Sequence, residues 1–188
     1  MTLTPALFLD RDGVINIDTG YVHQAADCEF VEGIFDLVKR ANSLGYKVIV
    51  VTNQAGIARG YYTEAQFLDF SAWMKSEFNR NEAHIDEIYF CPHHPVHGLG
   101  QYHIECDCRK PAPGMFLKAQ AAFNIDMQAS VMVGDNISDL EAAIAANVGN
   151  LNLFISNSID RAITDIEQTQ TKLLQINAVT SLSEVKLS

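Results

Sequence analysis

Five apolar, β-branched runs punctuate the chain, at residues 6–9, 47–52, 86–90, 130–133 and 150–155. The segments between the early runs carry apolar positions at helical spacing. Strands alternating with helices predict a mostly parallel sheet covered on both faces, a Rossmann-like three-layer α/β/α sandwich. In the first helix Ile34, Leu37, Val38, Ala41 and Leu44 form one apolar stripe, and Gly45 supplies a left-handed stop. Thr63 and Gln66 have the spacing of a capping box for a second helix, with Phe67, Phe70, Met74 and Phe78 on its inner face. Pro113 opens a third, and a fourth starts near Asn136 with Ile137, Leu140 and Ile144 inward. The polar tail from about residue 160 is read as a helix plus a short edge strand. At 188 residues the pattern fits a single domain spanning 1–188, long enough to bury roughly 70% of its unfolded surface.

Three of the runs end in polar clusters: LFLD-RDG, VVTNQ and VMVGD. In an open parallel sheet the carboxyl ends of the strands line one crevice, so Asp10, Asp12, Thr52, Asn53 and Asp135 are expected to converge. Carboxylates placed so closely repel and resist dehydration unless a cation relieves them. A magnesium ion shared by Asp10 and Asp135 would do so. A carboxylate can attack phosphorus to give an aspartyl-phosphate, and a second one can donate and then accept a proton. Thr52, Asn53 and Gln54 offer neutral donors for phosphoryl oxygens and sugar hydroxyls. Lys110 can offset charge on a transferring phosphoryl group, and Arg109 can clamp another anion bidentately. Asp139 can orient the groups that touch the metal. Plain alternatives exist: an acidic turn at Asp10–Gly13, a polar loop at Thr52–Gln54, a solvated Arg-Lys pair, a helix N-cap at Asp135.

Cys91-x-His93, then twelve residues, then Cys106-x-Cys108 presents four ligands as two close pairs. That spacing suits a closed tetrahedral zinc site, in a loop at about 91–109. His94, His97 and His103 compete for the histidine position, and His93 is preferred by spacing. Four protein ligands leave no place for water, so the zinc is expected to be structural, pinning the loop that carries Arg109 and Lys110. Cys28 stands apart and reads as a small buried hydrophobe.

Composition narrows the function classes. The formal net charge of -10, from 13 basic and 23 acidic residues, disfavours nucleic acid and anionic membrane as partners, since both require a basic footprint. No apolar stretch approaches the roughly 20 residues of a membrane span. The N-terminus lacks the charge and cleavage pattern of a signal peptide, which places the protein in the cytoplasm. A monomer acting on a small molecule is expected.

Together, Asp10-x-Asp12-x-Val14, Thr52, Lys110 and Gly134-Asp135-x-x-x-Asp139 resemble, in order, the four motifs of the haloacid dehalogenase-like (HAD) phosphatases. DRDGVINID, DTGYVH, VVTNQAGIARG, CPHHP, CDCRKPAPGM and VGDNISDLEAA resemble the branch of that superfamily acting on the C7 phosphate of heptose 1,7-bisphosphates, from about residue 6 to 155. The resemblance implies a Mg2+-dependent phosphomonoester hydrolase in the synthesis of activated heptose for lipopolysaccharide or surface glycan. Carried over by position, Asp10 is the nucleophile and Asp12 the acid/base. Asp10, the Asp12 carbonyl and Asp135 hold magnesium, and Thr52 and Lys110 steady the phosphoryl group. Asp18, Thr19, Gly20, Tyr21, Thr52, Asn53, Gln54, Ala55, Arg109, Lys110 and Asn136 contact substrate. Two positions depart from the pattern: Asn136 stands where lysine is common, and Ala55 where serine is common. A histidinol-phosphate phosphatase and a non-catalytic zinc-stabilised binding module are the competing readings.

Overall fold

The computed structural model describes residues 2–155 and 176–187. Its sheet is assembled from β1 (Ala6–Leu9), β2 (Lys47–Asn53), β3 (Glu87–Cys91), β4 (Val131–Gly134), β5 (Asn150–Phe154) and β6 (Ile176–Val179). The order is β3-β2-β1-β4-β5-β6, with every neighbouring pair parallel. β1 lies between β2 and β4, so the chain leaves it in one direction and later returns to its other side. That is the switch point at which parallel sheets open a crevice beyond their carboxyl ends.

Period-two alternation assigns the two faces of the sheet. Leu7 and Leu9 of β1, with Val48 and Val50 of β2, pack on α1 (Ile34–Ser43) and α3 (Glu64–Arg80). Ala6 and Phe8, with Ile49 and Val51, pack on α4 (Gly114–Phe123) and α5 (Ile137–Ala145). β1 is buried at all four positions, as expected of a central strand with helices on both sides. A short helix, α2 (Ala55–Ala58), follows β2 directly.

The local signals act as their chemistry predicts. Thr63 and Gln66 close a reciprocal capping box on α3, which buries Phe67, Phe70, Met74 and Phe78. Pro113 is the N-cap of α4, and Asn136 that of α5. Gly45 takes a φ of 80° after α1. Two stripe positions turn outward. Leu44 caps α1 and is 55% exposed, and Ile144, near the end of α5, is 37% exposed. Each lies in the last turn, where the chain is already leaving the sheet. The expected edge strand is β6; the helix expected after about residue 160 lies outside the described residues.

Candidate active site

Beyond the carboxyl ends of β1, β2 and β4 lies a cavity of about 510 Å³. Asp10, Asp12, Thr52, Lys110, Asp135 and Asp139 line its floor, and Asp18, Gly20, Tyr21, Ala55, Arg109 and Asn136 are among the residues around them. Residues from four separate stretches thus reach one place. Gly13 permits this closeness: its φ is 87°, and a Cβ there would sit 2.0 Å from Asp135 Oδ2. A side chain at position 13 would therefore meet both backbone strain and a carboxylate.

The centre is an ionic knot. Lys110 is 3% exposed and its Nζ lies 2.8 Å from Asp10 Oδ1, 2.8 Å from Asp139 Oδ1 and 2.8 Å from the Val51 carbonyl oxygen. Burial alone would lower the lysine pKa, but Asp10 and Asp139 more than reverse this and hold the ammonium above its ordinary range. The Arg11 amide also donates to Asp10 Oδ1, at 2.8 Å. Both donors act on that oxygen, and Oδ2 receives none among the described residues. Burial, then the charges of Asp139 and Asp135, push the Asp10 pKa well above the usual carboxylate value despite Lys110. Asp135, open to solvent on one side, is raised to about 7 by desolvation and by Asp139. Ligand oxygens of Asp10, Asp135 and Asp139 lie within 4.8 Å of one another. Three carboxylates against one ammonium leave negative charge uncompensated, an arrangement suited to a hard divalent cation. Asp139 is already committed: Oδ1 pairs with Lys110 and Oδ2 accepts from the Asn136 amide at 3.1 Å. Asp135 is not the α5 cap, which leaves its carboxylate for the cavity.

Asp12 is surrounded by donors from Arg11, Asn16 and Gln54. The Gln54 amide also donates to Thr52 Oγ1 at 2.8 Å. Asn53 makes a paired contact with the Lys110 backbone, donating to its carbonyl at 3.1 Å and accepting from its amide at 3.0 Å. The side chains of Asn53 and Gln54, read in the sequence as donors to substrate, are thus committed to holding Lys110, Asp12 and Thr52. Asn136 Oδ1 accepts from the Ser138 amide and hydroxyl. Thr19 does not line this cavity; it lines an adjoining cleft with Gly20, Tyr21, Val22, His23, Asp27 and Tyr61.

Cys91, His93, Cys106 and Cys108 also come together, their ligand atoms within 4.8 Å of one another. Sγ of Cys108 lies 3.0 Å from that of Cys91 and 3.2 Å from that of Cys106. His94 instead receives the amides of Val96 and His97 on Nδ1. The cluster is joined to the cavity through the sheet, because Cys91 stands beside Asn53 in register and its carbonyl accepts from the Gln54 amide at 2.8 Å. Arg109 donates to the His93 carbonyl at 3.2 Å. Cys28 packs against the core, where burial raises its thiol pKa to about 11.

Two residues of the site, Arg11 and Tyr62, are not among the defining positions of the motifs that mark it in the sequence. Arg11 is 1% exposed. Continuing the alternation of β1 places it in line with Leu7 and Leu9, on a buried face, and that was a legible signal that it needs partners. Tyr62 donates to Gln54 Oε1 and is also buried. Nothing local to its sequence announces this contact.

The profile of the HAD-hydrolase-like family matches residues 107–151. The D-glycero-beta-D-manno-heptose-1,7-bisphosphate 7-phosphatase of Vibrio cholerae is 55% identical over 145 residues, 77% of this chain and 78% of that protein. The D-glycero-alpha-D-manno-heptose-1,7-bisphosphate 7-phosphatase of Burkholderia mallei is 52% identical over 159 residues, 85% and 84% of the two chains. Among solved structures, the D,D-heptose 1,7-bisphosphate phosphatase of B. bronchiseptica, complexed with magnesium and phosphate, superposes with a TM-score of 0.79. It is 27% identical and covers 96% of this chain and 94% of its own.

Proposed function

The chain belongs to the HAD-like family of heptose-1,7-bisphosphate 7-phosphatases, and on that premise we propose that it hydrolyses the C7 phosphate ester of D-glycero-D-manno-heptose 1,7-bisphosphate, leaving the anomeric phosphate in place. The observation that carries this reading is the meeting of Asp10, Lys110 and Asp135 in one cavity, in a chain 55% identical to such an enzyme.

Asp10 attacks the C7 phosphorus through a carboxylate oxygen, forming an acyl-phosphate bond as the bond between phosphorus and the C7 oxygen breaks. Asp12 gives its proton to the departing alkoxide. It then takes a proton from the water that attacks the phosphoryl-aspartate, and inorganic phosphate leaves with Asp10 regenerated. Lys110 and Thr52 face the phosphoryl oxygens. Magnesium fits the site: Asp10, Asp135 and the Asp12 carbonyl would hold it, and when bound it supplies positive charge to the phosphoryl oxygens and to the crowded carboxylates. The direct test is phosphate release with Mg2+ from the two heptose bisphosphate anomers and from histidinol phosphate, with the product identified by NMR. A heptose 1-phosphate product supports the reading; preferential hydrolysis of histidinol phosphate, or loss of the anomeric phosphate, overturns it.

The raised pKa of Asp135 predicts a pH dependence. Its folded-state value of about 7 lies above its ordinary value of 3.8, so its contribution to stability is fully present in acid and is lost as pH rises through this range. Mg2+ removes that loss by replacing the proton. The rise in melting temperature on adding Mg2+ to metal-free protein is therefore expected to be larger at about pH 8 than at about pH 5. An equal rise at both contradicts the assignment of Asp135 to the metal.

The Cys91, His93, Cys106 and Cys108 cluster fits zinc, with three soft sulfur atoms and one imidazole nitrogen in a space the size of one ion. Zinc there would hold the segment leading to Arg109 and Lys110 in place. Cys108→Ser is expected to lower bound zinc and thermal stability together; unchanged zinc stoichiometry would remove the cluster from consideration.

A further inference from the structure

We infer that Arg11 is a positioning residue for the reaction, holding the Asp12 carboxylate in its working orientation together with a Tyr62–Gln54 pair; the inference rests on the acid/base role proposed for Asp12. Burying an arginine is costly, and a methionine or leucine would fill the same space more favourably. Yet Arg11 sits 5.2 Å from the ring centre of Phe70 and 5.6 Å from that of Phe67. Its Nε and NH2 are directed at Asp12 and the Val22 carbonyl, contacts that a residue serving only to fill the core would not need.

What the arrangement achieves is orientation. Arg11 Nε donates to Asp12 Oδ1 at 3.1 Å, and NH2 reaches Oδ1 and Oδ2 at 2.8 Å each. The same NH2 is tied to the Val22 carbonyl at 2.7 Å, and the aromatic rings hold the guanidinium from the side of α3. Asn16 adds a donor to Oδ1 at 3.1 Å, and Gln54 Nε2 one to Oδ2 at 3.2 Å. The Asp12 side chain nevertheless stays 22% exposed, so part of it remains open to the cavity.

The Gln54 contact depends on which end of its amide faces Asp12. The carboxylate settles this, because it can only accept: Nε2 faces Asp12 and Thr52, and the Tyr62 hydroxyl donates to the Oε1 that remains and holds the amide from behind. A reversed amide would set an oxygen against a carboxylate. Tyr62 is itself confined, stacked on His23 with ring centres 4.5 Å apart, and a Cβ at Gly56 would come within 2.2 Å of its ring. Asp12 must serve first the leaving oxygen and then a water at the same phosphorus, and a displacement of about 1 Å in such a group costs about 100-fold in rate.

The test is a mutant cycle on heptose bisphosphate hydrolysis with Mg2+, using release of radiolabelled phosphate so that slow variants remain measurable. Arg11→Met keeps apolar bulk between the rings and removes the fork; Tyr62→Phe removes one hydroxyl and keeps the fold even if the first variant does not. In the wild-type background kcat is expected to fall about 50-fold for Arg11→Met and about 5-fold for Tyr62→Phe, with KM within about twofold. In an Asp12→Asn background each change is expected to alter kcat by less than about twofold, since there is no acid/base left to position. Equal fold-losses in both backgrounds, or unchanged kcat for Tyr62→Phe in the wild-type background, overturn the inference. Absence of Mg2+-dependent phosphate release by the wild type would instead defeat the proposed function.

Discussion

Asp10→Asn is expected to lower phosphate release by on the order of 10⁴-fold while leaving the protein folded, because it removes the attacking oxygen and little else. Asparagine has nearly the same shape, and its amide oxygen can still accept from Lys110. The substitution also removes one of three mutually repelling carboxylates, Asp10, Asp135 and Asp139. Stability in the absence of metal should therefore stay equal or rise, even as turnover collapses. Activity assays paired with urea unfolding separate the two effects. Loss of activity accompanied by an equally severe loss of stability would assign Asp10 a structural role instead.

Lys110→Met is expected to act on both properties at once. The ammonium is buried and makes contacts of 2.8 Å with Asp10, Asp139 and the Val51 carbonyl. Its removal strands two carboxylates and a carbonyl without their shared donor. Breaking a buried pair in this way costs about 3–5 kcal/mol. Turnover should drop by roughly 10²–10³-fold, the scale for losing one charge stabiliser at a transition state. Mg2+ should restore part of the stability, by neutralising the remaining carboxylates, but little of the rate. Urea unfolding with and without Mg2+ measures the first, and steady-state kinetics the second. A stability loss below about 1 kcal/mol would show that the lysine is not what balances the knot.

These contrasting outcomes reflect how the site is built. Its catalytic candidates stand at strand ends, and strand ends are visible in a sequence as apolar runs stopped by polar clusters. β1, β2 and β4 place Asp10, Thr52 and Asp135 around one cavity for that reason. The Cys and His spacing likewise marked four atoms that meet within 4.8 Å.

What lies one layer deeper was not legible, because it depends on partners distant in the chain. Asn53 and Gln54 look like donors awaiting a ligand, but their side chains are taken up by Lys110, Asp12, Thr52 and Tyr62. The burial of Arg11 can be read from the alternation of β1, but its partners cannot: the rings of α3 that flank it come near only in the folded chain. Asn136 resolves differently: a short amide in a position suited to capping turns back onto Ser138 of its own helix. Leu44 and Ile144 show the limit of periodicity itself, since a helix stripe continues past the point where the sheet beneath it ends.

The central claim is that one oxygen of Asp10 captures the phosphoryl group. The most direct measurement is acid quenching during turnover of heptose bisphosphate with Mg2+, followed by proteolysis and mass analysis of the peptide containing Asp10. One added phosphoryl group on Asp10, present in the wild type and absent from Asp10→Asn, is the predicted result. Phosphorylation of another residue, or full turnover by the Asp10→Asn protein, would contradict it.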